Sequence, residues 1–143
     1  MTDTLVTAAK SFVETIAARA DEIETARQVP QDLAEAMAAQ GLYHLCVPKQ
    51  IGGEEAHPVT FLKVVETLAA ADGSTAWCVN IAATCGLVGA YIPEAAGKQI
   101  MGDRQSIGAG VFAPMGKAVR EGDGYRASGR WNWGSASAPV SRA

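Results

Sequence analysis

The amino-acid sequence predicts an α+β chain, with an all-helical segment over residues 1–104 followed by the first strands of a β domain over 105–143. Up to Met101 apolar side chains recur every three or four residues; from Ser106 the pattern becomes short, alternating and punctuated by glycine. The run from Gly73 to Pro93 carries no charge, which places a helix inside a protein core. It does not read as a membrane span, because Ser74, Thr75, Asn80 and Thr84 dilute its apolar content and no basic residues flank it.

Taken in order, the elements begin with an amphipathic helix from Thr4 to about Arg27, whose buried side carries Leu5, Ala9, Phe12, Ile16, Ala20 and Ile23. Pro30 suits the first turn of a second helix burying Leu33, Ala36 and Met37, and Gly41 stands where a left-handed cap ends it. A loop through Pro48 and the turn Gly52-Gly53 leads to a third helix, Val59 to Ala71, with Phe61, Leu62, Val65, Leu68 and Ala69 as its apolar stripe. Asp72 to Thr75 supplies a new N-cap. The helix it starts, Thr75 to Tyr91, is expected to be the most buried of all, with Trp77 in the core. A fifth helix runs from Pro93-Glu94 to Gly102. Strands are expected in Ser106–Pro114, Lys117–Gly122 and Tyr125–Trp133, with Gly122-Asp123-Gly124 as a hairpin turn. Three strands leave an open edge and an uncovered face, so more protein is expected to pair with them.

Composition narrows the function. The chain has 143 residues, 48% hydrophobic and 19% charged, with a net charge of −3 and its basic residues dispersed. That argues against nucleic acid and anionic membrane as partners. Three cysteines without paired spacing and an N-terminus without an apolar leader point to reduced thiols in the cytoplasm. No metal site is expected, because His44 and His57 lack carboxylates or thiols at ligand spacing and read as ordinary loop residues. Ser135 has no nucleophile elbow, and Gly108-Ala109-Gly110 is too short and wrongly placed for a dinucleotide fingerprint. Cys78 and Cys85 lie seven residues apart on one helix face and read as small buried fillers.

The segments left over are Gly110–Ala118 and Ser128–Ser135. Glycines beside strands admit a closely approaching ligand, and aromatic rings with a nearby hydroxyl suit a planar heteroaromatic such as a flavin. A plain β core plugged by aromatic rings accounts for these residues equally well.

Read together, GLYHLCVPKQIGGEE, VVETLAAADGSTAW and FAPMGKAV…SGRWNWGS resemble the N-terminal half of the acyl-CoA dehydrogenase superfamily of flavoproteins, over nearly the whole chain. The resemblance implies an N-terminal helical domain, the first strands of a β-barrel domain and, beyond Ala143, a C-terminal helical bundle. It implies FAD, with FMN as the alternative. The flavin would be met by the backbone of Val111 and Phe112 and by Trp133 and Ser135 at its reactive edge; Trp131 would be packing. Phe112-Ala113-Pro114 stands where the family usually has Thr-Glu-Pro, so no side-chain contact is implied there. No catalytic residue is carried over, since the family's catalytic glutamate belongs to the later domain. The activity implied is oxidation of CH–CH bonds in an acyl-CoA thioester by a homo-oligomer, with the chain alone inactive and binding flavin weakly or not at all. The wording AWCV and FAPMGKA is closer to the oxygenase component of two-component flavin monooxygenases, which act on aromatic substrates. That branch typically has a histidine where Cys85 stands. The Ala/Ser/Pro tail departs from the family, and a non-catalytic helical interaction module is the third reading.

Overall fold

A computed structural model describes residues 2–136. Helices α1 (Thr2–Ala18), α2 (Ala20–Ala26), α3 (Gln31–Ala39), α4 (Pro58–Ala69), α5 (Gly73–Cys85) and α6 (Glu94–Met101) precede a hairpin of β1 (Gly116–Glu121) and β2 (Gly124–Gly129). Short 3-10 turns cover Lys49–Ile51 and Gly86–Ala90. α4 is the middle layer, packed on α1 at one side and α5 at the other. The core between them holds Ile16, Met37, Leu42, Leu45, Val64, Leu68 and Val79. Among the described residues no helix is long and apolar enough to cross a membrane.

The expected first helix is broken in two at Arg19, whose backbone leaves helical geometry (φ −107°, ψ 11°). Its guanidinium donates to Glu22 at 2.8 Å and to Asp32 at 2.7 Å, tying α2 and the start of α3 to the break. Both carboxyls are thereby held below their ordinary range, chiefly by the hydrogen bonds from Arg19. Gly41, at φ +78°, follows α3 as expected, and so does Gly52, at φ +102°, in the later turn. α4 begins at Pro58 with the His57 ring as its cap, Nδ1 accepting from the Val59 N–H at 3.2 Å. Its buried stripe is Thr60, Val64 and Leu68; Leu62, expected inside, is exposed.

Asp72 caps α5, its Oδ1 accepting from the Thr75 N–H at 2.6 Å and the Ser74 hydroxyl at 2.7 Å. The uncharged helix does not reach Tyr91, and it is not enclosed on every side. It ends at Cys85 and tightens into the 3-10 turn, where Gly86 and Gly89 are buried while Leu87, Val88 and Tyr91 are exposed. The face of α5 toward the core carries the small residues Thr75, Ala76, Val79, Ala82 and Ala83. Trp77 lies outside that face and is 54% exposed, contrary to its expected place in the core. Small residues let α5 approach α4 closely, and the bulky ring has no room there.

The loop after α3 is wedged into the rest of the helical body. A Cβ on Gly53 would collide with the backbone carbonyl and Cβ of Val47, and one on Gly86 would stand 2.5 Å from Val47 Cγ2. Ile51 Cδ1 would stand 2.6 Å from a Cβ on Gly89 and 3.1 Å from one on Gly97 in α6. The loop backbone closes on itself through Glu54 N–H to His44 O (3.1 Å), Ala56 N–H to Leu45 O (2.7 Å) and Glu55 N–H to Val47 O (3.0 Å).

Residues 106–114, expected as a strand, form none; the first strand starts at Gly116. That segment has no backbone ladder partner among the described residues and lies against the helices. The hairpin turn falls at Gly122-Asp123 as expected, with Glu121 facing Gly124 and Gly122 at φ +59°. The third expected strand stops at Gly129 instead of continuing to Trp133. Trp131 explains the stop: its ring folds back over the paired glycines Gly116 and Gly129 and occupies the space where side chains would stand. The Ala/Ser/Pro tail beyond Ala136 lies outside the described residues.

Two outcomes check this packing. Gly53→Ala is expected to lower stability by about 2–3 kcal/mol, a fall in Tm of roughly 8 °C by calorimetry, because the added methyl meets fixed backbone. Asp72→Ala is expected to lose about 1 kcal/mol at pH 7 in urea denaturation. Burial pushes the Asp72 carboxyl up, but the bonds from Ser74 and Thr75 outweigh it and hold the group below its ordinary value. A depressed folded-state value means that the ionised cap is fully effective above the unfolded-state pKa, about 3.9, and weakens as pH falls through the folded value. The gap between wild type and Asp72→Ala is therefore expected to narrow below about pH 4.

Candidate functional site

Two segments from the C-terminal third cross the outer side of α5. The first, Ser106 to Gly110, crosses near Cys85. His44 Nε2 lies 2.6 Å from the Ser106 carbonyl oxygen; a carbonyl only accepts, so Nε2 carries the proton of that bond. His44 is thus a buried tie between the α3–α4 loop and residue 106, and not the ordinary loop histidine expected. Ile107 packs on the core, a Cβ on Gly108 would stand 3.2 Å from Cys85 Cβ, and one on Gly110 would stand 2.7 Å from Cys85 Sγ. These glycines admit the chain against the thiol. A cleft of about 220 Å³ lies here, lined by His44, Val47, Ala82, Cys85, Met101 and Ser106 among others.

The second segment, Trp133 to Ala136, crosses near the start of α5. The indole Nε1–H of Trp77 donates to Ser135 Oγ at 3.1 Å. The neighbouring Ala136 is buried on the core. The Ser135 N–H turns back to the Trp133 carbonyl at 2.9 Å. The two crossings sit about seven residues apart on α5, roughly 10 Å along the helix axis, the length scale of a fused three-ring system.

Of the four residues singled out from the sequence, Val111 is half-buried where the first segment leaves α5, and Ser135 is half-buried against Trp77. Phe112 and Trp133 present their rings to solvent, 87% and 93% exposed. Large aromatic rings in that state have no partner of their own within the described chain, which is the condition in which a planar ligand or another protein surface covers them. Trp131 is packing, as expected, through the glycine pair and not through strand alternation. Sequence reasoning missed Trp77 and His44. A pattern of small residues at 75, 76, 79, 82 and 83 marks the buried face of α5 and leaves Trp77 outside it, which is the signal that finds the first. His44 carries no such signal, because its carbonyl partner lies 62 positions away.

All three cysteines are free thiols. Burial pushes each of them above its ordinary range, with the Ala136 N–H partly offsetting this at Cys78. All three are half-buried, and a raised thiol lacks the ready thiolate of an activated nucleophile. Among the described residues no group of three or more His, Cys, Asp or Glu side chains is arranged to hold a metal ion.

Helical layers followed by a hairpin, with two segments laid across α5, define the N-terminal part of an acyl-CoA dehydrogenase-like fold. The family described as "Acyl-CoA dehydrogenase, N-terminal domain" matches residues 2–92, and the chain belongs to it. Proteins it is similar to include the oxygenase subunit HsaA of a flavin-dependent monooxygenase from Rhodococcus jostii (strain RHA1), 32% identical over 126 residues, covering 87% of this chain and 33% of that protein. An indole-3-acetate monooxygenase from Pseudomonas putida is 30% identical over 122 residues, covering 84% and 31%. The crystal structure of the HsaA monooxygenase from M. tuberculosis superposes with a TM-score of 0.86 at 29% identity, over 94% of this chain and 36% of that one. The chain thus spans about a third of the length of the relatives it matches.

The raised thiols give a direct check. Iodoacetamide at pH 7.5 is expected to alkylate Cys78 and Cys46 more slowly than free cysteine, read by mass spectrometry, because the thiolate fraction is reduced by burial.

Proposed function

We propose that the chain is the N-terminal part of a flavin-dependent oxygenase component that hydroxylates a small aromatic substrate, residues 1–104 being its helical domain and 105–143 the start of its flavin-facing β domain. The observation that carries the reading is the fastening of Ser135 to Trp77, with the Phe112 and Trp133 rings held outward on the two segments that cross α5. The relatives' names support oxygenation over acyl-CoA oxidation, the other activity that the family implies. The cytoplasm fits the free thiols.

The residues present suit a flavin, FAD or FMN. Trp133 offers a stacking face, Ser135 a hydroxyl, and Val111 and Phe112 backbone groups beside a glycine-lined approach. When bound, a reduced flavin supplies the activation of dioxygen. The chain's own part is to hold the ring edge, orient a hydroxyl toward it and exclude water with aromatic side chains. A reductase supplying reduced flavin and assembly of the oxygenase as a homo-oligomer complete the proposal.

At 14.9 kDa the chain suits solution NMR, and its three tryptophans give three indole N–H resonances. Oxidised FMN or FAD added to millimolar concentration is expected to shift the Trp133 and Trp77 resonances and leave Trp131 in place. Trp133→Ala is expected to weaken binding about tenfold, the loss of roughly 1.4 kcal/mol of ring contact. No shift at any indole would overturn the flavin reading.

A further inference from the structure

A second cleft, of about 450 Å³, lies where α3 ends and α4 begins, and none of its lining residues belongs to the two segments that cross α5. Thr60, in the first turn of α4, lines it with a hydroxyl that is buried and has no hydrogen-bond partner. Thr67 and Thr84 turn theirs back to a helical carbonyl, Lys63 O at 2.7 Å and Asn80 O at 2.8 Å. Thr60 has no helical carbonyl four residues behind it, because α4 starts at Pro58. A buried hydroxyl without a partner costs free energy unless a bound group satisfies it. Glu55, on the same lining, lies at φ +43°, a region that non-glycine residues enter at a cost. Its N–H donates to Val47 O at 3.0 Å and its Oε2 accepts from the Lys49 N–H at 2.9 Å, so both ends of the residue hold the strained conformation.

The charges of the cleft divide into a closed pair and an open one. Arg104 and Glu54 neutralise each other in an ion pair. Lys49 and Glu55 do not: the Lys49 ammonium makes no ion pair among the described residues, and Glu55 Oε1 accepts nothing there. The helix ends add the same two signs. The Ala39 and Gln40 carbonyls at the end of α3 receive no backbone bond from the loop that follows, which leaves partial negative charge at that side. α4 presents its positive end, but its first amides are engaged by His57, so what it offers a ligand is the Thr60 hydroxyl. Leu5 and Ala56 add apolar surface to the lining.

We propose that this cleft binds a small zwitterion of the α-amino-acid type with an aliphatic side chain. The carboxylate is received by the Lys49 ammonium and the Thr60 hydroxyl, the ammonium by the Glu55 carboxylate and the carbonyls that end α3, and the side chain lies on Leu5 and Ala56. A simple anion faces Glu55 and the end of α3, and a simple cation faces Lys49 and the start of α4; each leaves one open charge unmatched.

The test follows the amide resonances of the chain by NMR during titration with L-leucine, with isocaproate, which lacks the ammonium, and with isoamylamine, which lacks the carboxylate. L-Leucine is expected to shift the amides of Glu55, His57 and Thr60 saturably with a Kd of about 1 mM, and each truncated probe to bind at least about fivefold more weakly, the scale of one hydrogen bond. A truncated probe that binds as well as leucine overturns the zwitterion, and no saturable shift at these amides with leucine overturns the site. Thr60→Val is expected to weaken leucine about fivefold while Tm, by calorimetry, holds or rises, because the change removes an unsatisfied group at nearly constant volume. Unchanged leucine affinity in that variant, the result of a merely structural hydroxyl, overturns the role of Thr60. Glu55→Gln keeps an acceptor for the Lys49 N–H; it is expected to weaken leucine and isoamylamine and leave isocaproate unchanged, and Lys49→Gln to weaken leucine and isocaproate and leave isoamylamine unchanged. Equal weakening of all three probes in either variant overturns the assignment of charges. Should Thr60→Val not fold, this pair of variants decides.

Discussion

The seating of Val47 and Ile51 against four glycines holds the rest of the structure in place. Val47 stands where Gly53 and Gly86 lack a Cβ, and Ile51 where Gly89 and Gly97 lack one. Through these contacts one loop holds the 3-10 turn after α5 and, with it, α6. The same loop carries His44, which ties down Ser106 and so sets where the chain leaves the helices. The place where the chain leaves the helices at residue 106 depends on that wedge. The energetic logic is close packing: van der Waals contact made by two fully buried aliphatic side chains, available only because the opposing backbone has nothing attached.

α5 illustrates how an uncharged helix can still have two sides. Its inner face is small, so that α4 lies close; its outer side bears Trp77, Cys78 and Cys85, and the two C-terminal segments come to those residues. Polarity does not distinguish the faces, but size does. The helix is both the back wall of the core and the bench on which the candidate site is assembled.

The helices were legible in the sequence wherever the apolar stripe was regular and a cap stood at the boundary. Asp72, Gly41 and Gly52 all behave as their chemistry dictates, since caps and positive φ are local matters. The break at Arg19 was not legible, because it depends on Asp32, a partner outside the helix. Nor was the exposure of Trp77, since a run without charge offers no periodicity to orient it. In the C-terminal third, alternation in 106–114 and 130–133 read as strand, and it failed because a strand needs a ladder partner as well as a pattern. For the candidate site, the sequence singles out Ser135 and Trp133 as a hydroxyl and a ring, while the bond that anchors Ser135 spans 58 positions and lies beyond any local signal.

The hairpin has both faces in solvent, and its main cover is one indole ring lying across a glycine pair. A two-stranded ribbon of this kind contributes little apolar burial to global stability, so its amides open by local fraying and not by unfolding of the helical layers. Two cooperative units follow, a protected helical body and a fast-exchanging ribbon, joined at α5. Because Trp131 closes the ribbon while Ser135 and Ala136 fasten the chain after it to α5, opening is expected to be easiest at the Gly122-Asp123 tip and to fall off toward that anchor.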